Sequence, residues 1–172
     1  LHVRSRRQRQ MCIRDRDWHA HVTVATIVEH DGRFLFVEEL KGGRLVLNQP
    51  AGHLEPRESL LQAAIRETLE ETACDVELTG VTGIYLYTAP SNGVTYQRIC
   101  FVAKLLEHHA ERALDSDISG IRWLTYDELL AERGRLRSEL VLRCLDDYLA
   151  GARFPLSPVS YTHLTLPTTP YV

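Results

Sequence analysis

Three glutamates, Glu67, Glu70 and Glu71, stand near the middle of the chain at spacings of three and four residues. On a helix this spacing places all three carboxylates on one patch. Like charges so arranged repel one another by roughly 0.2–0.5 kcal/mol per pair, so helix stability does not favour the arrangement. A hard divalent cation reverses the balance, because Mg²⁺ binds carboxylate oxygens together with substrate phosphates. The patch therefore indicates either a metal site or a solvated charged face.

The segment that carries the glutamates has the pattern of an amphipathic helix. Its predicted buried stripe follows the spacing i, i+3, i+4, i+7, i+8 and comprises Leu61, Ala64, Ile65, Thr68 and Leu69. The glutamates are then expected to face solvent or a cleft. A tight loop with Pro and Gly, residues 48–53, precedes the helix, and Glu58 and Ser59 suit the helix N-terminus.

The wider constellation is more specific than the glutamates alone. It reads Gly, five residues, Glu, seven residues, Arg-Glu, two residues, Glu-Glu, and comprises Gly52, Glu58, Arg66, Glu67, Glu70 and Glu71. This motif resembles the Nudix box of the Nudix hydrolase family. Two positions depart from the family pattern: Thr68 replaces an aliphatic residue, and Ala73 replaces a glycine. The second change is expected to tighten the helix exit, because Gly tolerates left-handed geometry better than Ala.

The resemblance implies a catalytic metal site. By resemblance, Glu67, Glu70 and Glu71 are ligands of Mg²⁺, with Mn²⁺ as a possible substitute. The backbone carbonyl of Gly52 helps to bind the ion, and Glu58 completes or supports the ligand shell.

The same resemblance gives Arg66 and one glutamate their roles in the reaction. Arg66 is expected to orient a neighbouring glutamate through charge-assisted hydrogen bonds. Either Glu67 or Glu70 is expected to act as the base towards water, and the sequence leaves the choice between them open.

Three residues outside the motif are candidate substrate contacts. Gln49 and His53 flank the loop and are suited either to touching phosphate or base or to a structural role. Arg98, on a predicted strand, is a candidate phosphate contact or a surface ion-pair partner. Three strand tyrosines suit either stacking on a heterocycle or packing in the sheet: Tyr85, Tyr87 and Tyr96.

The resemblance extends over residues 17–157 and is strongest to a phosphatase branch of the family. Members of that branch remove terminal phosphate from nucleoside tri- and diphosphates and from hydroxymethylpyrimidine pyrophosphate, a thiamine precursor. One alternative is an ADP-ribose or sugar-nucleotide pyrophosphohydrolase, which cleaves between phosphates. Another is a non-catalytic Nudix-fold binding domain, although the charged residues of the box are all present.

The two ends of the chain share an unusual relationship. A back-translation of residues 158–172 has a reverse complement that encodes His2 through Arg16, residue for residue. One DNA inverted repeat can therefore encode both tails, which protein folding gives no reason to expect. We interpret residues 1–16 and 158–172 as sequencing-adapter artefacts and residues 17–157 as the Nudix hydrolase domain.

Composition limits the classes of partner. The chain has 20 Lys+Arg and 23 Asp+Glu, and six of the arginines but only one acid lie in the tails, which leaves the domain at −8. This negative charge argues against a nucleic-acid or membrane partner. The resemblance implies a small nucleotide or pyrophosphate as ligand, and the protein is expected to be a monomer or homodimer. Its three cysteines are odd in number and widely spaced, which favours reduced thiols and a cytoplasmic location.

The remaining pattern predicts one mixed α/β domain. Strands are expected near residues 21–28, 34–38, 45–47, 81–88, 96–106 and 120–124, and helices near residues 126–132 and 136–150. Strands on both sides of a central helix favour an α/β/α sandwich. The resemblance adds a mixed sheet of Nudix type with a loop–helix–loop catalytic motif.

Overall fold

The computed structural model of the chain describes residues 18–160. The tails interpreted as artefacts lie outside the described residues, except for residues 158–160, and that interpretation stays a prediction. The described elements are β1 (His21–His30), β2 (Arg33–Lys41), β3 (Arg44–Asn48), β4 (Ala51–His53), α1 (Leu60–Thr72), β5 (Cys74–Thr88), β6 (Thr95–His108), β7 (Ile118–Leu124), α2 (Tyr126–Ala131), a 3₁₀ turn (Arg133–Arg135) and α3 (Glu139–Leu149).

Strand β1 organises a mixed seven-stranded sheet. It pairs antiparallel with β4 and parallel with β6, and β5 continues the sheet beyond β6 as an antiparallel neighbour. The end of β1 pairs with β2, which in turn pairs with β3 and β7. The register brings Thr23 opposite both His53 and Arg98. One row of side chains therefore runs from the box segment on β4 to β6.

Helices cover both faces of the sheet around β1, because successive strand residues point to opposite faces. On one face Val24 packs in a buried cluster with Ala63 and Ala64 of α1. On the other face Ala25 packs in a separate cluster with Leu145 of α3. The predicted α/β/α sandwich is confirmed.

The buried side of α1 differs from the predicted stripe. Ile65 is 38% exposed, whereas Ala63 is completely buried. The stripe prediction was therefore wrong at this position. The helix presents small and hydroxylated residues to the sheet, and Thr68 and Thr72 satisfy their buried hydroxyls on helix carbonyls one turn earlier, at 2.7 and 2.5 Å.

The N-terminus of α1 has the capping residue that the sequence predicts, whereas its C-terminus holds an alanine in a conformation that favours glycine. Ser59 is the N-cap and forms a reciprocal capping box with Gln62. Ala73 ends the helix at φ 56° and ψ 25°, so alanine adopts the left-handed conformation that glycine would accept without strain. The predicted loop at residues 48–53 was wrong in part, because residues 51–53 form β4 against β1.

The cysteines that the structure describes, Cys74, Cys100 and Cys144, are buried free thiols, as predicted. In residues 18–160 no helix has the length and apolar character needed to cross a membrane.

Candidate active site

Arg66 is the hub of a carboxylate cluster on α1. Its Nε and Nη2 donate to the two carboxylate oxygens of Glu58 at 3.0 and 2.7 Å. Its Nη1 donates to Glu67 and Glu70 at 2.9 and 3.0 Å. These hydrogen bonds, the one to Glu58 above all, raise the pKa of Arg66 above its usual range. The contact expected between Arg66 and a neighbouring glutamate is present, and it extends to three of them.

Glu58 is engaged by protein donors at both oxygens. Besides Arg66, the backbone N–H of Glu55 donates to its Oε1 at 2.6 Å. The hydrogen bond from Arg66 lowers the pKa of Glu58 below its ordinary value. Glu58 therefore holds Arg66 in this structure, and its direct participation in metal binding stays a prediction.

Glu71 lies on the buried side of the cluster. The backbone N–H of Ala51 donates to its Oε2 at 2.8 Å, which ties α1 to β4. Burial raises the pKa of Glu71 to about 8, and the neighbouring carboxylates Glu39, Glu67 and Asp115 add to the effect, against the opposing hydrogen bond from Ala51. In the metal-free protein the site therefore favours a neutral Glu71, a preference that a bound cation would reverse.

Glu67 lies beside Gly52, in space that a side chain at position 52 would fill. Burial raises the pKa of Glu67, in part against the nearby charge of Arg66. Two kinds of oxygen donor meet at this position. They are the carboxylates of Glu67 and Glu71, whose pKa values burial raises, and the backbone of Gly52 on β4, which lies against Glu67. Such an oxygen-rich, negatively charged set fits a hard divalent cation.

Glu70 differs from its two neighbours in exposure, since 36% of its side chain is exposed to solvent. Its backbone carbonyl accepts a hydrogen bond from the N–H of Asp115 at 3.0 Å. The segment before β7 is therefore held against α1, and the acids of this segment, Asp115 and Asp117, line the same cleft as the box residues.

A cleft of about 800 Å³ opens beside the cluster. Its walls include Gly52, Glu67 and Glu71 from the box and Thr23 and Arg98 from the sheet. A cavity of this volume accommodates a nucleotide-sized ligand. The structure thus brings three of the five metal-ligating candidates and two of the three predicted substrate contacts, His53 and Arg98, to a single cleft. The remaining candidates, Glu58, Glu70 and Gln49, are not among the residues that line it.

Arg98 is not the surface ion-pair partner that the sequence allowed. It is 9% exposed, and its Nη1 donates to Gln49 Oε1 at 3.2 Å. Gln49 is itself buried and donates from Nε2 to the carbonyl of Val141 on α3 at 2.9 Å. Gln49 therefore fixes the guanidinium of Arg98, and a direct contact of Gln49 with substrate stays a prediction.

His53 lies exposed at the cleft wall among other rings. Its ring centroid lies 6.0 Å from that of His21 and 6.2 Å from that of Tyr96. The ring is nevertheless partly shielded from water by its neighbours, and this partial burial lowers the pKa of His53, as do the charges of His21 and Arg137. Tyr87 and Tyr96 line the cleft as well, whereas Tyr85 packs against the core and donates to Asp147 at 3.0 Å.

One further cluster was missed by the sequence, which gives His109 no partner at metal-ligand spacing. Its Nε2 lies 2.7 Å from Asp75 Oδ2, and Glu107 completes a group whose ligand atoms all lie within 4.8 Å of one another. The signal is the register of β5 and β6, which places Asp75 opposite Glu107. No local pattern in the sequence shows that register.

Comparisons with known proteins agree with this geometry. A model of the NUDIX domain family matches residues 17–144. Phosphatase NudJ of Escherichia coli (strain K12) is 38% identical over 139 residues, covering 81% of this chain and 90% of that protein. Phosphatase NudJ of Shigella flexneri gives the same identity and coverage.

A solved structure shows the same fold. A NUDIX hydrolase from Nitrosomonas europaea superposes with a TM-score of 0.82 at 43% identity, and the match covers 84% of this chain and 98% of that chain. The described sheet and helices are therefore those of a known enzyme fold.

Proposed function

Since the chain belongs to the Nudix hydrolase family and acts as a hydrolase on phosphoric anhydride bonds, we propose that it is a Mg²⁺-dependent phosphatase that removes terminal phosphate. The proposed substrates are nucleoside tri- and diphosphates and hydroxymethylpyrimidine pyrophosphate. Similarity to Phosphatase NudJ over most of both chains supports the phosphatase branch. The proposed location is the cytoplasm, which the buried free thiols support.

The observation that carries the proposal is a pair of carboxylates at the wall of the cleft, the buried Glu71 and the partly buried Glu67. Burial raises the pKa of both side chains, so the protein alone stabilises neither anion. A divalent cation bound by these oxygens, by Glu70 and by the Gly52 carbonyl would remove that cost. When bound, the ion supplies charge neutralisation, polarises a phosphoryl oxygen and lowers the pKa of water.

The protein side chains supply positioning and proton transfer. Arg66 holds Glu67 and Glu70 at fixed separations through its Nη1. We assign the role of base to Glu67 rather than Glu70, because Glu67 lines the cleft and Glu70 does not. Arg98 and His53 line the cleft as the proposed substrate contacts, and Gln49 acts through Arg98.

Product analysis tests the proposal. The full chain is incubated with nucleoside di- and triphosphates, ADP-ribose and hydroxymethylpyrimidine pyrophosphate, with Mg²⁺ or with EDTA. Orthophosphate release that requires Mg²⁺ is the expected result. Release of nucleoside monophosphate with sugar phosphate would instead assign the protein to the pyrophosphohydrolases, and a folded protein without turnover would indicate a binding domain.

A further inference from the structure

The cationic side chains that line the cleft differ in whether they have a carboxylate partner. Lys41 lies 3.3 Å from Asp117 Oδ2, and Arg137 pairs with the buried Glu39. Among the residues that the structure describes, Arg98 has no carboxylate oxygen within 4.0 Å of its guanidinium. Within residues 18–160 it is therefore a buried positive charge without a counter-ion.

Three side chains that line the cleft also have a buried polar atom without a hydrogen-bond partner within residues 18–160. One is the acceptor Asn48 Oδ1 on β3, and the other two are Arg98 Nε and Thr23 Oγ1 on the adjacent strands β6 and β1. The two residues are directly opposite each other in the parallel pairing of β1 with β6, and both line the cleft. A donor and a hydroxyl thus belong to neighbouring side chains on one face of the sheet, and both side chains line the cleft.

Burial of a charge without a partner is unfavourable, and such groups in native proteins are generally paired or bound to a ligand. From these contacts we infer that Arg98 and Thr23 form a phosphate subsite that binds an anionic phosphate group of the substrate without the metal ion. The inference rests on the proposed function, since it assigns one end of the same cleft to a second phosphate. An anion bound there restores the missing counter-charge and offers acceptor oxygens to the two orphaned groups, which are covered in the unliganded protein.

The position of the subsite separates it from the carboxylates. Gly52 and His53 lie on β4, on one side of β1, whereas Arg98 lies on β6, on the other side. With neighbouring strands about 4.8 Å apart, the backbones of β4 and β6 are roughly 10 Å apart. The cleft therefore has an acidic wall for the metal ion and a cationic floor for phosphate, and the second does not depend on the first.

Calorimetric titration of inorganic pyrophosphate into the metal-free full chain, in excess EDTA, tests the inference. Wild type is expected to bind. Arg98→Met is expected to weaken binding at least about tenfold, the effect of losing a charge-assisted hydrogen bond to the anion. Thr23→Val keeps the side-chain shape, removes the orphaned hydroxyl, and is expected to weaken binding by roughly threefold to tenfold.

The matched control is Lys41→Met, which removes a cleft cation that already has carboxylate partners and is expected to change Kd less than about twofold. Thr23→Val is also expected to raise Tm, because it removes a buried hydroxyl without a partner. A purely structural role for Thr23 predicts the opposite shift in Tm. If Arg98→Met does not fold by circular dichroism, Thr23→Val decides the question.

Equal affinity in wild type, Arg98→Met and Thr23→Val, or no binding by folded wild type, would overturn the subsite. The proposed function fails separately, through the lack of Mg²⁺-dependent turnover. Binding in EDTA together with absent turnover would leave the anion subsite intact and reject the phosphatase, so the two failures are distinguishable.

Discussion

The carboxylate of Glu67 lies against the α-carbon of Gly52, so closely that a Cβ built on Gly52 would be 2.0 Å from Glu67 Cδ. Real atoms cannot approach to this distance, and any side chain at position 52 must displace the carboxylate. The glycine of the box is thus required by contact with its own glutamate. The close contact between Gly52 on β4 and Glu67 on α1 therefore fixes the position of a carboxylate that we assign to metal binding and catalysis.

Gly52→Ala is therefore expected to move Glu67 and reduce kcat by at least about 100-fold, the scale seen when a catalytic group is displaced by about 1 Å. Mg²⁺ affinity should fall with it, while the far-ultraviolet circular dichroism stays that of a folded protein. Gly120→Ala is the control, because a Cβ there meets no atom within 4 Å. Wild-type activity in Gly52→Ala would contradict the assigned contact.

Glu71 makes the stability of the metal-free protein depend on pH. Its folded-state pKa of about 8 exceeds the ordinary value of 4.5, so its stabilising contribution is complete below pH 4.5 and is lost as pH rises through 8. At alkaline pH the ionised group costs on the order of 5 kcal/mol. Glu71→Gln keeps an acceptor for the Ala51 N–H and removes the charge.

In EDTA at pH 9 we therefore expect Glu71→Gln to have a higher Tm than wild type, with the difference vanishing near pH 4. Addition of Mg²⁺ should raise the Tm of wild type alone. Thermal denaturation monitored by circular dichroism measures both effects. A lower Tm for Glu71→Gln at pH 9 would show that the carboxylate is stabilised as an anion without metal.

Arg66 and Arg143 provide a matched pair of arginines on helices. Arg66→Met leaves three carboxylates without their shared cation and is expected to cost about 1–3 kcal/mol in unfolding free energy and to abolish turnover. Arg143→Met removes an exposed pair with Asp147 at 3.0 Å and is expected to cost less than about 0.5 kcal/mol. Urea denaturation compares the two variants, and equal losses would argue against the hub role.

The left-handed geometry of Ala73 gives a prediction about folding alone. Ala73→Gly relieves strain of about 1–2 kcal/mol but loses a buried methyl worth about 0.8 kcal/mol, so stability should change by less than about 1 kcal/mol. Ala73→Val should destabilise by more than about 2 kcal/mol, because a β-branched residue is an outlier at positive φ. Chemical denaturation at fixed pH measures both. An Ala73→Val variant as stable as wild type would contradict the left-handed conformation assigned to residue 73 at the end of α1.

The box could be predicted because its residues lie close together in the sequence, and the fold class could be predicted from the strand and helix pattern together with the family resemblance. The spacing of Glu67 and Glu70 on a helix with a strong N-cap requires no knowledge of the rest of the molecule. Burial of Glu71 depends on which side of α1 faces β4. The apolar pattern of the helix did not predict that side correctly, because it placed Ile65 in the buried stripe and Ile65 is exposed.

Features that arise from strand register could not be predicted. The isolation of Arg98 opposite Thr23 depends on the parallel pairing of strands 75 residues apart, and no local signal specifies it. The approach of His109 to Asp75 has the same origin. Contacts of this kind depend on which strands pair and in what register, so they can be identified only in the folded sheet.

In the proposed reaction, the carboxylates of the box and a divalent cation together promote hydrolysis of a terminal phosphate. The most direct measurement is orthophosphate release from a nucleoside triphosphate by wild type, Glu67→Gln and Glu70→Gln, each with Mg²⁺ and with EDTA. We expect turnover by wild type with Mg²⁺ only, and a fall of at least about 1,000-fold in kcat for both folded variants. Turnover by wild type in EDTA, or undiminished turnover by Glu67→Gln, would contradict the account.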